Sequence, residues 1–343
     1  MRTKLLAIFL LIILPLLMLS CEENARVKTQ EYYDLFNTVS TVQSYLGDTD
    51  EEFDENCDTV YTTLSEYHKL FDIYYEYAGI NNLATVNRLA GRESVEVSPL
   101  LIDFLLYAKD IYSLTDGKTN IAIGAVTKLW HGEREAAEDG GEGKLPDSKL
   151  LAEAARHTSI DDVIIDKASC TVFLRDPEMS LDVGAIGKGY AAEMAKRELE
   201  QLGISSYVLN IGGNICAIGE KPSGEGWRTS VRNPHGNGYV ASVVISNTSC
   251  VTSGDYERYY TVEGVRYHHI IDPETLYPAE YFSSVTVFTE NSALADALST
   301  ALFCMPYSEG EKLISSLDGV EVLWITPSGE QFMTEGVSKL KSE

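Results

Sequence analysis

Basic residues and cysteines are the scarce classes in this 343-residue chain. The 27 Lys and Arg stand against 52 Asp and Glu, a formal net charge of -25. So acidic a surface repels phosphate backbones and anionic headgroups, which excludes nucleic acid as a partner; plain solubility accounts for the charge. A small phosphate ligand is not excluded, because backbone N–H groups, one or two cations and a metal can hold it locally. The six cysteines (Cys21, Cys57, Cys170, Cys216, Cys250 and Cys304) show no CxxC spacing. That excludes a zinc signature and a disulfide framework, leaving a single bridged pair open. Most of the thiols read as small buried hydrophobes. The nucleotide fingerprints GxGxxG and GxxxxGKT are also missing, and no internal repeat or long low-complexity linker divides the chain.

Long apolar runs are nearly absent too. The one at the start, Leu5 to Leu19, follows Met1-Arg2-Thr3-Lys4 and ends at Ser20-Cys21. It is short for a membrane span of about 20 residues, and it has the basic and apolar regions of an export signal. A small residue before Cys is the pattern of a bacterial lipoprotein signal. Residues 1–20 are therefore expected to be removed, with Cys21 lipidated and residues 21–30 forming a tether. Residues 31–343 would be one folded domain, anchored to the membrane outside the cytoplasm.

Hydrophobic spacing predicts a helix over 51–78 (Phe53, Val60, Leu64, Tyr67, Phe71) and a second opened by Ser98-Pro99. Residues 131–147 read as an exposed loop, being polar and Gly-rich. Further helices are expected at 150–157, 186–202, 293–305 and 309–317. Strands are expected at 163–165, 171–174, 207–211, 241–245, 259–262, 284–288 and 320–325. Strands and helices mix without regular βαβ alternation, which predicts a single compact α+β domain.

Four stretches carry unusual local chemistry. Asp182-Val183-Gly184-Ala185-Ile186-Gly187-Lys188-Gly189 leads into a helix; its glycines allow close backbone approach and its helix start favours an anion. By itself it reads better as a tight turn with a packing glycine and a solvated lysine. Asn210-Ile211-Gly212-Gly213-Asn214 follows a buried strand and is either a ligand-facing surface or a turn. Thr252-Ser253-Gly254-Asp255-Tyr256 precedes His268-His269-Ile270-Ile271-Asp272-Pro273. On a strand, adjacent histidines face opposite sides, so at most one points into a given site. Asp296 lies within an apolar, Ala-rich helix with Thr300 one turn on. A carboxylate there is costly to bury unless it is paired or bound to a cation, and Asp with hydroxyl or carbonyl oxygens suits Mg²⁺.

Together these stretches resemble the FAD:protein FMN transferases, the ApbE family. The likeness also takes in Thr115-Asp116-Gly117, Ile121-Ala122-Ile123-Gly124, Leu129-Trp130 and Val231-Arg232-Asn233-Pro234, in family order across roughly residues 35–330. The resemblance implies Mg²⁺ held by Asp296, Thr300 and the Ala185 carbonyl, with Ser299, and FAD as the substrate. It implies flavin-nucleotide contacts at Asp182, Lys188, Lys118-Thr119-Asn120, Ile271 and Phe36 in the first strand, with an aromatic contact from Tyr77 or, as the alternative, Tyr74. It implies that His269 takes the proton of an acceptor threonine, giving an FMN–threonine phosphoester and AMP. Expected acceptors are membrane redox subunits or flavin-carrying domains with a Gly/Ser/Thr motif. Phe36-Asn37-Thr38 departs from a common Met-Gly-Thr, Lys118-Thr119 from a small-aromatic pair, and Asn120 from Asp. The alternatives are an FAD pyrophosphatase releasing FMN and AMP, and a non-catalytic flavin-binding lipoprotein.

Overall fold

The computed structural model describes residues 27–341. The expected signal segment and Cys21 lie outside the described residues. Among those described, no helix is long and apolar enough to cross a membrane.

The chain opens with the hairpin β1 (Lys28–Leu35) and β2 (Thr38–Ser44), then α1 (Asp50–Phe71) and α2 (Leu83–Arg88). After β3 (Val95–Glu96) come α3 (Pro99–Leu114), α4 (Gly124–Glu138) and α5 (Ser148–Ala154). The hairpin β4 (Val163–Asp166) and β5 (Thr171–Leu174) precedes α6 (Gly187–Gln201). Next are β6 (Tyr207–Ile211), β7 (Asn214–Ile218), β8 (Trp227–Arg232), β9 (Tyr239–Ile245) and β10 (Ser249–Gly254). A small hairpin, β11 (Tyr259–Val262) and β12 (Val265–His268), leads to β13 (Ser284–Thr289) and α7 (Ser292–Phe303). The chain closes with α8 (Tyr307–Ile314), β14 (Glu321–Ile325), β15 (Gln331–Met333) and α9 (Glu335–Leu340).

The centre is an eight-stranded sheet in the order β1-β2-β6-β7-β10-β13-β14-β15. Every neighbouring pair in it is antiparallel, which places the domain in the α+β class. Side chains alternate between its faces. Val251, Val285, Val287, Val322 and Trp324 turn to the face under α7. Ala217, Cys250, Phe288, Leu323 and Ile325 turn to the face covered by β8, β9 and α9. Both faces are covered, so β13 is buried at every position.

Three expectations are corrected. The helix expected to reach residue 78 ends at Phe71. Asp72 stops it, because its Oδ1 accepts the N–H groups of Tyr74 (2.7 Å) and Tyr75 (3.0 Å) and folds the chain into a turn. The loop expected over 131–147 is half helix: α4 runs on to Glu138. Only Gly124, Val126 and Trp130 of α4 are buried, so the segment shows little apolar period. The pairs His131–Glu135 (2.9 Å) and Arg134–Glu138 (3.7 Å), each four residues apart, support it from the solvent side. Finally, β1 begins at Lys28, so the last residues assigned to the tether pair with β2 instead. All five described cysteines are free, and neighbouring-strand Cys216 and Cys250 lie on opposite faces of the sheet.

Candidate active site

The N-terminal turns of α6 and α7 lie against each other. Ile186, at the start of α6, offers no side-chain cap. The Gly189 N–H instead donates to Asp296 Oδ2 on α7, at 2.7 Å. The approach needs glycine: a Cβ at residue 189 would stand 2.3 Å from Asp296 Cβ and 2.5 Å from the Ser292 carbonyl oxygen. In return, Glu193 of α6 accepts the Ser292 N–H at 3.0 Å. Each helix thus supplies a carboxylate to the unpaired N–H groups and positive end of the other.

Asp296 is only 5% exposed, yet among the described residues no hydrogen bond reaches its Oδ1. One turn along, Thr300 Oγ1 stands 3.4 Å from the Ala185 carbonyl oxygen. Ser253, at the end of β10, places its Oγ 2.9 Å from Ser299 Oγ and 3.4 Å from Thr300 Oγ1. Ser299 donates to the Asp296 carbonyl at 2.9 Å and is fully buried. A carboxylate oxygen without a partner, a backbone carbonyl and a hydroxyl are hard donors of the kind Mg²⁺ prefers. Octahedral bonds of ~2.1 Å set adjacent oxygens ~3.0 Å apart, close to the Thr300–Ala185 spacing. These residues fit a hard divalent cation. Among the described residues no group of three or more His, Cys, Asp and Glu is placed to hold a metal.

The two adjacent histidines are employed differently. His268 ends β12 and is tied at both nitrogens: Nδ1 accepts the Ile270 N–H at 3.2 Å and Nε2 meets the Ala279 carbonyl at 2.9 Å. His269 lies just past the strand and is exposed. The Arg258 carbonyl lies 3.0 Å from its backbone N–H and 3.2 Å from its Nδ1. Donation from Nδ1 to that carbonyl leaves Nε2 as a bare acceptor. Crowding first, then the charges of Arg258, His268 and Lys188, depress the His269 pKa to about 3. Water on the open side of the ring tempers this shift, and its direction leaves a neutral imidazole near pH 7. Lys188, next to Gly189, is therefore within electrostatic reach of His269, and it forms no ion pair among the described residues.

The Gly-rich loop is held by Asp182, whose Oδ1 accepts the Gly184 N–H at 2.9 Å and whose Oδ2 accepts Thr127 Oγ1 of α4 at 2.7 Å. Gly124 lets α4 come in close, since a Cβ there would lie 2.3 Å from the Ser180 carbonyl oxygen. Asn87 fastens the same loop, donating to the Leu181 carbonyl at 3.0 Å and accepting its N–H at 2.7 Å. Of the expected flavin contacts, Lys118, Thr119 and Asn120 direct their side chains into the protein. Ile271 is buried against Val126, Trp130 and Tyr260. Phe36 sits in the turn after β1, not within the strand. It and Asn37 have φ of 53° and 50°, the left-handed pair of a two-residue hairpin. Its N–H donates to His68 Nδ1 at 3.2 Å.

The structure separates the two tyrosines. The Tyr77 hydroxyl donates to Asp72 Oδ2 at 2.8 Å. Tyr74, which is exposed, instead lies beside the site: crowding by its neighbours and then the Asp182 carboxylate raise its pKa, with Arg134 and Arg258 acting against them. Its ring also packs on His131, centroids 5.4 Å apart. Site neighbours that the sequence reading left out are therefore Ser253, Arg258, Thr127 and Asn87. Ser253 lies within the Thr252–Tyr256 motif and Arg258 two residues after it, and that placement was the one available signal. Thr127 and Asn87 carried none, because each acts through a contact with a residue distant in sequence.

A family model described as the ApbE family matches residues 36–324. A Treponema pallidum (strain Nichols) protein named FAD:protein FMN transferase is 33% identical over 336 residues, covering 93% of this chain and 90% of its own length. A Klebsiella pneumoniae (strain 342) protein of the same name is 33% identical over 248 residues, covering 70% and 73%. The crystal structure of an ApbE protein from Thermotoga maritima superposes with a TM-score of 0.80 at 25% identity, covering 93% of this chain and all of that one.

Proposed function

The chain belongs to the ApbE family of flavin transferases, and we propose that it moves the FMN half of FAD onto a threonine hydroxyl of an acceptor protein, releasing AMP with Mg²⁺ as the cation. The observation that carries this reading is the approach of Thr300 Oγ1 to the Ala185 carbonyl, one helical turn from Asp296, whose Oδ2 holds the Gly189 N–H beside Lys188, a lysine within electrostatic reach of His269.

Asp296, Thr300 and Ala185 would hold the cation, with Ser253 and Ser299 behind Thr300. When bound, it supplies neutralising charge to a pyrophosphate and its leaving group. Lys188 and Arg258 add positive charge on the chain's own account. His269 Nε2 accepts the proton of the threonine hydroxyl. The threonine oxygen bonds to the FMN phosphorus as the pyrophosphate P–O bond breaks, and AMP departs with the bridging oxygen. Little else is required of the protein, since such transfers depend chiefly on positioning and charge. Tyr74, exposed and within electrostatic reach of Asp182, is the aromatic we assign to the flavin nucleotide.

The lipoprotein-like start supports a chain tethered through Cys21 outside the cytoplasm, with acceptors among membrane redox subunits carrying a Gly/Ser/Thr motif. The test incubates residues 22–343 with FAD, Mg²⁺ and a threonine-motif acceptor domain, reading the acceptor by intact mass. An FMN adduct is expected, abolished by EDTA and by Asp296→Asn, and slowed about 10²–10⁴-fold by His269→Gln. FMN and AMP without an adduct would mark a pyrophosphatase. FAD binding without turnover would mark a carrier.

A further inference from the structure

Three consecutive side chains of the loop between α3 and α4 reach three separate segments. Lys118 Nζ lies 3.2 Å from both Asp272 Oδ1 and Glu274 Oε1. Thr119 Oγ1 donates at 2.8 Å to the carbonyl of Ala297, the residue after Asp296. Asn120 donates at 3.0 Å to the Thr158 carbonyl, while its Oδ1 accepts the Ala122 N–H at 2.8 Å. Thr119 is 1% exposed, so its side chain has no surface to offer a ligand.

Asp272 stands three residues after His269 and shapes the turn there. Its backbone N–H donates to the Tyr277 carbonyl at 2.9 Å, and its Oδ1 accepts the Glu274 N–H at 3.0 Å. The Lys118 and Asp272 side chains are 7% and 2% exposed. Burial disfavours the Lys118 charge, but the two carboxylates prevail and its pKa is raised. A buried carboxylate is tolerated only where it is paired, so the Lys118 ammonium fixes where the Asp272 turn can lie. Lys188, by contrast, forms no ion pair among the described residues and is near His269. The two lysines therefore divide between structure and ligand.

We propose that Lys118 is a positioning residue that locks the Asp272 turn and thereby holds His269 in place, with Lys118, Thr119 and Asn120 bracing the site through their side chains instead of contacting flavin. This rests on His269 being the base. The brace joins the His269 segment, the cation-holding helix α7 and the segment at Thr158 through one short loop. A loosened brace displaces the base while leaving the FAD surface in place. Misplacement by about 1 Å costs on the order of 10²-fold in rate.

The experiment is a double-mutant cycle of Lys118→Met and Asp272→Asn in the 22–343 chain. Melting temperature is measured first, then FAD Kd by fluorescence, then kcat and KM for transfer to the acceptor domain. Each single variant is expected to lower kcat by about 10–100-fold with FAD Kd within about 3-fold. The double variant should lose no more than the worse single, because one link is being cut twice. If Lys118→Met unfolds the chain, Lys118→Arg replaces it and should retain most of kcat by keeping the pair. A raised FAD Kd at unchanged kcat, or losses that multiply in the double variant, would overturn the proposal. His269→Gln is run alongside: full activity in that variant overturns the base assignment, an outcome separate from the cycle.

Discussion

Replacing Gly189 with alanine tests whether the α6–α7 junction builds the cation site. The added Cβ would lie 2.3 Å from Asp296 Cβ and 2.5 Å from the Ser292 carbonyl oxygen. The second neighbour is backbone, so no rotamer change relieves the contact and the helices must part by about 1 Å to reach ordinary packing distance. Overpacking of this kind costs about 1–3 kcal/mol. Lengthening the Gly189 N–H to Asp296 bond adds part of the ~1.5–3 kcal/mol carried by a hydrogen bond to a charged group. Against this stands at most ~1 kcal/mol from the better helix propensity of alanine. A net loss of about 2 kcal/mol is expected, lowering Tm by about 3 °C in a domain of this size. Mn²⁺ binding, followed by electron paramagnetic resonance as a Mg²⁺ surrogate, should weaken at least about 10-fold as Asp296 is pushed aside. Gly132 in α4 provides the control, since nothing lies within 4 Å of its added Cβ. Gly132→Ala should stabilise by up to ~1 kcal/mol and leave Mn²⁺ affinity alone. A Gly189→Ala chain with the Tm gain of the control and unaltered Mn²⁺ affinity would refute the reasoning.

Two further outcomes are expected. Burial lowers the pKa of His68 and of His268 below 6.5; the folded chain therefore binds these protons less readily than the unfolded one. Their contribution to stability is complete above about 6.5 and is lost as pH falls from there towards the lower folded values. His157 runs oppositely, because Asp176 raises its pKa; its contribution is complete below 6.5 and fades as pH rises through the folded value. Urea midpoints measured from pH 5 to 8 should fall on the acid side, and a slope unchanged by His68→Gln with His268→Gln would count against this. In a thiol titration of residues 22–343, Cys170 should react readily under native conditions while four cysteines wait for denaturant. Burial pushes Cys57, Cys216 and Cys250 up to about 12, and Cys304 upward as well. Fewer than five thiols in denaturant would reveal a disulfide and contradict the free cysteines.

Local patterning made much of the fold legible. The alternating strands β4 and β5, and the apolar helix α7 with Asp296 inside it, lie close to where spacing places them. Residues whose structure depends on partners elsewhere were harder to read. Helix α4 has one buried stripe less than two turns long, at its start, so its polar remainder resembles a loop. Asp72 ends α1 with its own carboxylate, a stop that apolar spacing does not report. The same distinction runs through the site. Asp296 and Thr300 are legible because both lie on one helix face. Ser253 reaches them only when β10 is set beside α7. Tyr74 and Tyr77 differ by three positions, and it is the Asp72 turn that takes the backbone N–H of the first, leaving its ring exposed, and occupies the hydroxyl of the second.

The shared turn of α6 and α7 couples ligand loading to the cohesion of the domain. Asp296 uses one oxygen to hold α6, and the other is the one assigned above to the proposed cation. The two helices rest on the central sheet and belong to adjoining parts of the core. Whatever occupies the free oxygen also draws the seam between those parts together. By mass action, a cation at 100 times its Kd would add about 2.7 kcal/mol to the stability of the whole domain. Resistance to proteolysis would then report how full the site is, even with no flavin and no acceptor present.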